Sequence, residues 1–336
     1  GLAFTCSTIS IFNSVCHAIQ QLIYARRIAR TEIRHAPIFI VGHWRSGTTL
    51  LHELLVLDEQ HTSPTTFECF VPNHFLVTGW FLPRLKFLLP AQRPMDNMEA
   101  GWDRPQEDEF ALCNLGVPSP YATMAFPNNK PQFTEYLDFQ GVSKPAVDRW
   151  KASFLNFLKL VTFKRPKRIV LKSPPHTGRI GVLAEMFPEA RFVHIVRDPI
   201  AVFPSTVKLW KTLYMFQGLQ VPTHAGLDEY VFHCFERMYD AFEAQRPLLA
   251  PERFFEVRYE DLVQDPLGQV EAIYQHFGLG GFAGMRAKLE TYRRDHRDYQ
   301  TNRFQLDPQV REAVYRRWGP YMQKYGYCQE SVSSNS

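Results

Sequence analysis

Residues 37 to 55 read PIFIVGHWRSGTTLLHELL, and their pattern decides the fold. The run from Pro37 to Val41 is short, apolar and rich in β-branched and aromatic side chains, the composition of a buried strand. Gly42 breaks it. The chain then turns through Gly42-His43-Trp44-Arg45-Ser46-Gly47-Thr48-Thr49, after which Leu50, Leu51, Leu54 and Leu55 recur with helical period and predict a helix starting near Ser46. A strand, a glycine-bounded loop and a helix in that order form an anion cradle. The first N–H groups of the helix have no intrahelical partners and sit at the positive end of its dipole. Gly42 and Gly47 are separated by four residues, the Walker spacing, yet Thr48 stands where a nucleoside-triphosphate loop carries lysine. The cation lies inside the loop instead, at Arg45. A phosphate-like anion is expected there, and a P-loop kinase or NTPase is the weaker alternative.

Two further runs, 168 to 172 and 191 to 196, read as buried strands, each followed by a helix, through Phe187 and about Leu213. A fourth strand is expected at 254 to 258, and helices at 147 to 163, 226 to 247 and 266 to 277. Strands alternating with helices predict an α/β fold, a P-loop-like doubly wound parallel sheet flanked by helices. Ligands of such sheets sit at the carboxyl ends of the strands. Three strand-end segments, 42 to 49, 172 to 176 and 197 to 205, would therefore open onto one crevice.

The remaining stretches fill in around this frame. Residues 59 to 130 are dense in proline and aromatics and weak in period, as a lid or insertion over an acceptor site is. Within them Pro105-Gln106-Glu107-Asp108-Glu109-Phe110 is either the first turn of a helix with Pro105 at its first position, or a set of carboxylates facing the acceptor. Trp80, Trp102 and Tyr121 could stack sugar rings or hold a lipid chain. Residues 1 to 30 predict an amphipathic helix, with Phe12, Val15, Cys16, Ile19, Leu22 and Ile23 on one stripe. Packing of that stripe against its own domain is the first expectation; contact of residues 1 to 25 with a membrane surface or a partner, or a truncated anchor, are the alternatives. Residues 31 to 328 then form one domain, and 329 to 336, QESVSSNS, a disordered tail. Arg286, Arg293, Arg294, Arg297 and Arg303, interleaved with acids, read as a solvated helix face.

A net charge of +4 suits an anionic ligand, and no Lys/Arg run or aromatic-basic motif points to nucleic acid. The six cysteines have no CxxC spacing, which argues against a zinc site or a disulfide framework and favours a cytoplasmic location, peripheral to the membrane if residues 1 to 25 dock there. No apolar run reaches the roughly 18 to 20 residues of a membrane span.

Arg197 ends the 191 to 196 strand, and Ser205 should lie about two turns into the next helix. Together they would offer one phosphate a charged fork and a hydroxyl. Asp198 capping that helix, with Pro199 at its first position, is compatible with this. With the first loop, this describes a nucleotide bearing two separated phosphate groups.

These motifs resemble the sulfotransferases that use 3′-phosphoadenosine-5′-phosphosulfate (PAPS), in particular the bacterial-type branch whose first loop reads R-S-G-T-T. The resemblance spans about 37 to 325 and is loose over 59 to 130. It implies that Arg45, Ser46, Gly47, Thr48 and Thr49 bind the 5′-phosphosulfate and that Arg197 and Ser205 bind the 3′-phosphate. Tyr259, in Val257-Arg258-Tyr259-Glu260-Asp261-Leu262, would lie by the adenine. Sulfuryl transfer to a hydroxyl of a glycan, lipid or small molecule is implied, with no metal required. Two departures stand out. Arg45 replaces the lysine of cytosolic members and keeps the charge, whereas Leu50 replaces a tryptophan and leaves adenine stacking to another residue. A protein that binds the nucleotide without catalysis is the second alternative.

Such chemistry needs cations for the departing oxygen and a base for the acceptor. Arg45 and Lys172 fit the first role. His176, displaced by two residues from the Lys-Thr-His of cytosolic members, is one candidate for the second. Glu68, Glu53 and the Glu107-Asp108-Glu109 cluster are the others.

Overall fold

The computed structural model describes residues 2 to 84, 101 to 295 and 306 to 327, with side chains from residue 8 onward. Five parallel strands, β1 (Ile38–Val41), β2 (His61–Thr62), β3 (Arg168–Lys172), β4 (Arg191–Val196) and β5 (Phe254–Arg258), pair in the order β2-β3-β1-β4-β5. β1 sits centrally, with Ile40 beside both Lys172 of β3 and Val193 of β4. The chain runs from β1 to one side of the sheet, returns, and crosses to the other side, so the switch point falls at β1, where the first loop begins.

Helices α1 (Leu2–Ala29), α2 (Thr48–Val56), α3 (Thr66–Phe70), α4 (Phe75–Thr78), α5 (Asp108–Asn114), α6 (Lys144–Lys164) and α7 (Ile180–Met186) precede β4. After it come α8 (Pro199–Gln217), α9 (Leu227–Gln245), α10 (Tyr259–Gln264), α11 (Pro266–Phe277), α12 (Phe282–Asp295) and α13 (Pro308–Lys324). Alternate residues of the buried strands face opposite layers. Phe39, Val41, Leu171 and Phe192 join one core with Trp150, Phe154, Trp210, Phe235 and Trp318, while Ile38, Ile40, Val170 and Val193 join another with Leu51, Leu54, Ile273 and Leu289. This is the doubly wound α/β fold that the strand and helix periods imply.

Three local expectations need correction, and one helix went unread. Most of the apolar stripe of α1 does not pack inward: Val15, Ile19, Leu22 and Ile23 are exposed, Leu22 at 88%, whereas Cys16 is half-buried and the exposed Phe12 meets the His74 ring edge-on at 6.0 Å. The inward side is held by polar groups together with the buried Ile28 and with Tyr24, which packs on Phe163. Gln20 donates to the Asn73 carbonyl at 2.8 Å and accepts from Leu76 N–H at 2.9 Å, and the His17 ring also bonds the Asn73 carbonyl, at 3.0 Å. Pro105 does not open a helix, because residues 105 and 106 are extended. Thr65 and Pro105 form an antiparallel bridge, Gln106 N–H donates to the Pro64 carbonyl at 2.9 Å, and α5 starts three residues later. After β3 the chain makes a tight turn over Pro174–Arg179 before α7. The helix α13, announced by Asp307 capping Gln309 N–H at 2.9 Å, escaped the reading by period. Arg286 pairs with Glu271 at 2.9 Å on the exposed side of α12, whereas Arg297, Arg303 and residues 329 to 336 lie outside the described residues.

Candidate active site

The first loop is shaped by two glycines and one strained arginine. A Cβ at Gly42 would come 2.7 Å from the Ile195 carbonyl, and one at Gly47, whose φ is 103°, would come 2.3 Å from the Tyr259 ring. Arg45 also adopts a left-handed backbone, φ 68°, an unfavourable state for a side-chain-bearing residue and one that clusters at functional sites. Gly42 N–H donates to Thr177 Oγ1 at 2.8 Å, and Ser46 Oγ donates to the His43 carbonyl at 2.7 Å. Burial lowers the His43 pKa to about 3, against a bond to the Trp44 carbonyl that would raise it. The imidazole is therefore neutral, and the charge in the loop is that of Arg45.

The second expected phosphate site folds onto the first. Arg45 Nε donates to Ser205 Oγ at 2.9 Å, and Arg197 Nη1 donates to the Arg45 carbonyl at 2.8 Å. The Arg197 guanidinium lies over the Tyr259 ring, 4.0 Å from its centroid. Asp198 accepts from Ile200 N–H at 2.9 Å and caps α8, with Pro199 at its first position. Loop, strand end, helix and tyrosine thus meet in one place. The first turn of α2 starts there too, with N–H groups that precede any intrahelical acceptor, so the residues fit a phosphate-bearing nucleotide.

The acidic segment and the segment after β3 interlock. Each of the three consecutive acids takes a different partner. Glu107 accepts from Lys172 Nζ at 2.5 Å and from the Tyr121 hydroxyl. Asp108 accepts from His176 Nε2 at 2.7 Å. Glu109 takes Arg179 Nη1 at 2.6 Å and Ser119 Oγ at 2.5 Å. Only the first of the three is not sealed in the interior: the Glu107 side chain is 13% exposed, whereas Asp108, His176, Glu109 and Arg179 are wholly buried. Tyr121 in turn accepts from Trp44 Nε1 at 3.1 Å, which links the first loop to Glu107 through one side chain. Burial, and then the Glu107 charge, pushes the Tyr121 phenol well above its ordinary pKa, so it remains a donor. His52, behind Lys172, is held neutral with a pKa of about 3 by burial and by that lysine.

His176 packs against Phe39, Trp150 and Phe154, with its Nε2 spent on Asp108. Burial alone would raise the Asp108 carboxyl, but His176, joined by hydrogen bonds from Ser173 and the backbone, outweighs it and the net shift is downward. Glu53 accepts from the Tyr292 hydroxyl of α12 at 3.1 Å. Glu68 is not an exposed lid residue. It closes a capping box with Thr65 and receives Arg165 at 2.7 and 2.6 Å and Lys164 at 2.9 Å, from the end of α6. Arg179, the hydroxyls of Tyr121 and Thr177, and Ser173 Oγ, which accepts from Glu109 N–H at 3.0 Å, were not singled out from sequence as site partners. The run of polar residues after Lys172 was the available signal.

Burial would raise the Glu68 carboxyl, yet Arg165 and Lys164 hold it below its ordinary value. Its stabilising contribution is therefore complete above its unfolded pKa of about 4.3 and is lost as the pH falls through the depressed folded value. Glu68→Gln is expected to cost about 3 kcal/mol, since it leaves two cations at a buried site short of their acid. Urea unfolding between pH 3 and 7 checks this: the cost should shrink at the acid end, while affinity for adenosine 3′,5′-bisphosphate stays unchanged.

Comparison with known proteins gives this geometry its class. A model of the sulfotransferase family matches residues 37–283. The chain is 49% identical over 319 residues to the omega-hydroxy-beta-dihydromenaquinone-9 sulfotransferase of Mycobacterium tuberculosis and of Mycobacterium bovis, covering 95% of this chain and 82% of each relative. The Homo sapiens carbohydrate sulfotransferase 6 is 27% identical over 275 residues, covering 72% of this chain and 64% of that protein. Crystal structures of sulfotransferases from Mycobacterium avium and Mycobacterium tuberculosis share the fold. Their TM-scores are 0.70 and 0.68 at 20% and 23% identity, covering 92% and 91% of this chain and 81% of each. The chain belongs to the sulfotransferase family and is an enzyme of that class. Family membership carries with it the use of PAPS as donor.

Proposed function

We propose that this chain moves a sulfuryl group from PAPS to a hydroxyl on a hydroxylated menaquinone-type lipid. The observation that carries the donor site is the Arg45–Ser205 bond clasped by Arg197 beneath Tyr259. Ser46, Gly47, Thr48 and Thr49 hold the 5′-phosphosulfate with Arg45, Arg197 and Ser205 hold the 3′-phosphate, and Tyr259 borders the base. The donor supplies the sulfuryl: a bond from the acceptor oxygen to sulfur forms as the bond from sulfur to the bisphosphate breaks. Arg45 and Lys172 lower the cost of charge on the departing oxygen.

For the base, the geometry favours Glu107 over His176, Glu68 and Glu53. Glu107 combines partial exposure with contact to Lys172, whereas the other three are engaged in the interior or with α12. Tyr121 holds the Glu107 carboxylate in place, so Tyr121→Phe should lower kcat roughly tenfold with KM for the donor unchanged. Steady-state kinetics with PAPS as the varied substrate checks it.

The acceptor class rests on the 49% identity to the two mycobacterial enzymes. Residues 1 to 25 are read as a contact with the membrane in which such a lipid resides. The exposed row Ile11, Val15, Ile19 and Leu22 supports this, as does the lack of Asp, Glu, Lys or Arg before Arg26. No helix among the described residues is long and apolar enough to cross a membrane. The scattered cysteines favour the cytoplasmic side. Sulfur-labelled PAPS tested against hydroxylated quinones, glycans and simple alcohols decides the matter. Transfer to the quinone is expected, and transfer to sugar hydroxyls alone would overturn the acceptor. Nucleotide binding without transfer to any of them would favour a non-catalytic protein.

A further inference from the structure

The helix that presents Ser205 to the donor site ends three turns later in an apolar tip. Along the outer side of α8 stand Lys208, Lys211, Met215 and Phe216, all exposed, and the chain continues into Leu219 and Val221, the latter 88% exposed. The spacing 208, 211, 215 keeps these residues on one face. The opposite face is buried, and Trp210 there packs on Trp44 of the first loop, with ring centroids 5.6 Å apart.

The tip is held rather than loose. Leu219 N–H donates to the Ala125 carbonyl at 2.8 Å, Asn128 Nδ2 donates to the Val221 carbonyl at 2.9 Å, and Thr223 N–H donates to Asn128 Oδ1 at 2.9 Å. The fold thus spends backbone and amide bonds to fix a loop whose apolar side chains point away from the protein. Phe126, on the strand of chain that anchors it, is also exposed. Lys130 follows two residues after Asn128, so the border carries Lys130, Lys208 and Lys211 against Asp228, which shares a shallow groove with the two α8 lysines. An apolar tip ringed by an excess of cations is complementary to a bilayer with anionic headgroups.

We infer that the α8 tip, Met215, Phe216, Leu219 and Val221 with Lys208 and Lys211, inserts into the surface of an anionic phospholipid bilayer and sets the first-loop crevice at the interface from which a lipid hydroxyl is drawn. The inference rests on the lipid-acceptor reading above, and it assigns the docking role to the tip rather than to α1 alone.

The full chain is sedimented with vesicles of phosphatidylcholine alone and with about one third phosphatidylglycerol. Wild-type protein should bind the anionic vesicles about tenfold more tightly. Replacement of Met215, Phe216, Leu219 and Val221 by serine should weaken binding to both by about tenfold or more, α1 retaining a residual contact, and K208A/K211A should remove only the preference for anionic lipid. Calorimetry with adenosine 3′,5′-bisphosphate and transfer to a short-chain, water-soluble alcohol should remain at wild-type level in both variants. These readouts report on the sulfotransferase reading separately. As a probe that leaves the apolar character intact, Val221→Trp should add, in the difference from wild type and its six tryptophans, an emission that is blue-shifted with anionic vesicles. Unchanged vesicle binding in the tip variant, an unshifted Trp emission, loss of binding only when Ile11, Val15 and Leu22 are replaced, or a tip-dependent dimer that ignores vesicles would each overturn the assignment.

Discussion

Arg45→Ala and Arg197→Ala each weaken binding of adenosine 3′,5′-bisphosphate by about a hundredfold, as charge-assisted bonds to phosphate predict. The effect is large because the two arginines are not independent. Arg45 reaches Ser205 at 2.9 Å, while Arg197 grips the carbonyl of Arg45 at 2.8 Å and rests on Tyr259. Losing either side chain removes a charge and also releases the left-handed backbone at Arg45, which its neighbours hold in place. The double variant should therefore lose less than the sum of the two single losses, a coupling that a double-mutant cycle by calorimetry reads directly. Wild-type affinity in both single variants would remove the nucleotide from this crevice altogether.

Glu107→Gln lowers kcat by about a thousandfold while affinity for adenosine 3′,5′-bisphosphate changes little. The amide keeps the shape, and its carbonyl still accepts from Lys172 or Tyr121, so binding is spared while the proton acceptor is lost. His176→Ala is the informative contrast. That ring sits among Phe39, Trp150 and Phe154 and bonds Asp108, so its loss should lower the melting temperature and loosen the start of α5. Rapid-quench measurement of a single turnover separates the two. Normal turnover in Glu107→Gln, with collapse in a well-folded His176→Ala, would move the base to the histidine.

Legibility in the sequence followed locality. β1, β3 and β4 were readable because buried strands are short, largely apolar runs, and β5, a half-buried edge strand, because Phe254, Phe255 and Val257 still mark it. β2, two residues long, has no such run and exists only because it pairs with the start of β3. The residues proposed to hold the donor could be picked out because Gly42 to Thr49 is contiguous, and Arg197 and Ser205 are joined by a strand-to-helix turn. Arg179 could not: a wholly buried arginine is unusual, and its bonds to Glu109 and the Tyr136 carbonyl, with the Phe139 and Trp150 rings against its guanidinium, make the position tenable. Likewise the period of α1 reveals an apolar stripe but carries no statement of which side meets the protein.

By itself, then, the sequence determined the longer strands of the sheet, the glycine-bounded loop around Arg45 and the strand-to-helix turn that carries Arg197 and Ser205. Each is set by neighbours within a few residues, where backbone geometry leaves little choice. The tertiary structure alone decided which of three adjacent acids stands beside Lys172. That contact joins positions 65 residues apart, and it exists because Asp108 and Glu109 are drawn into the interior by His176 and Arg179, leaving Glu107 on the partly exposed side.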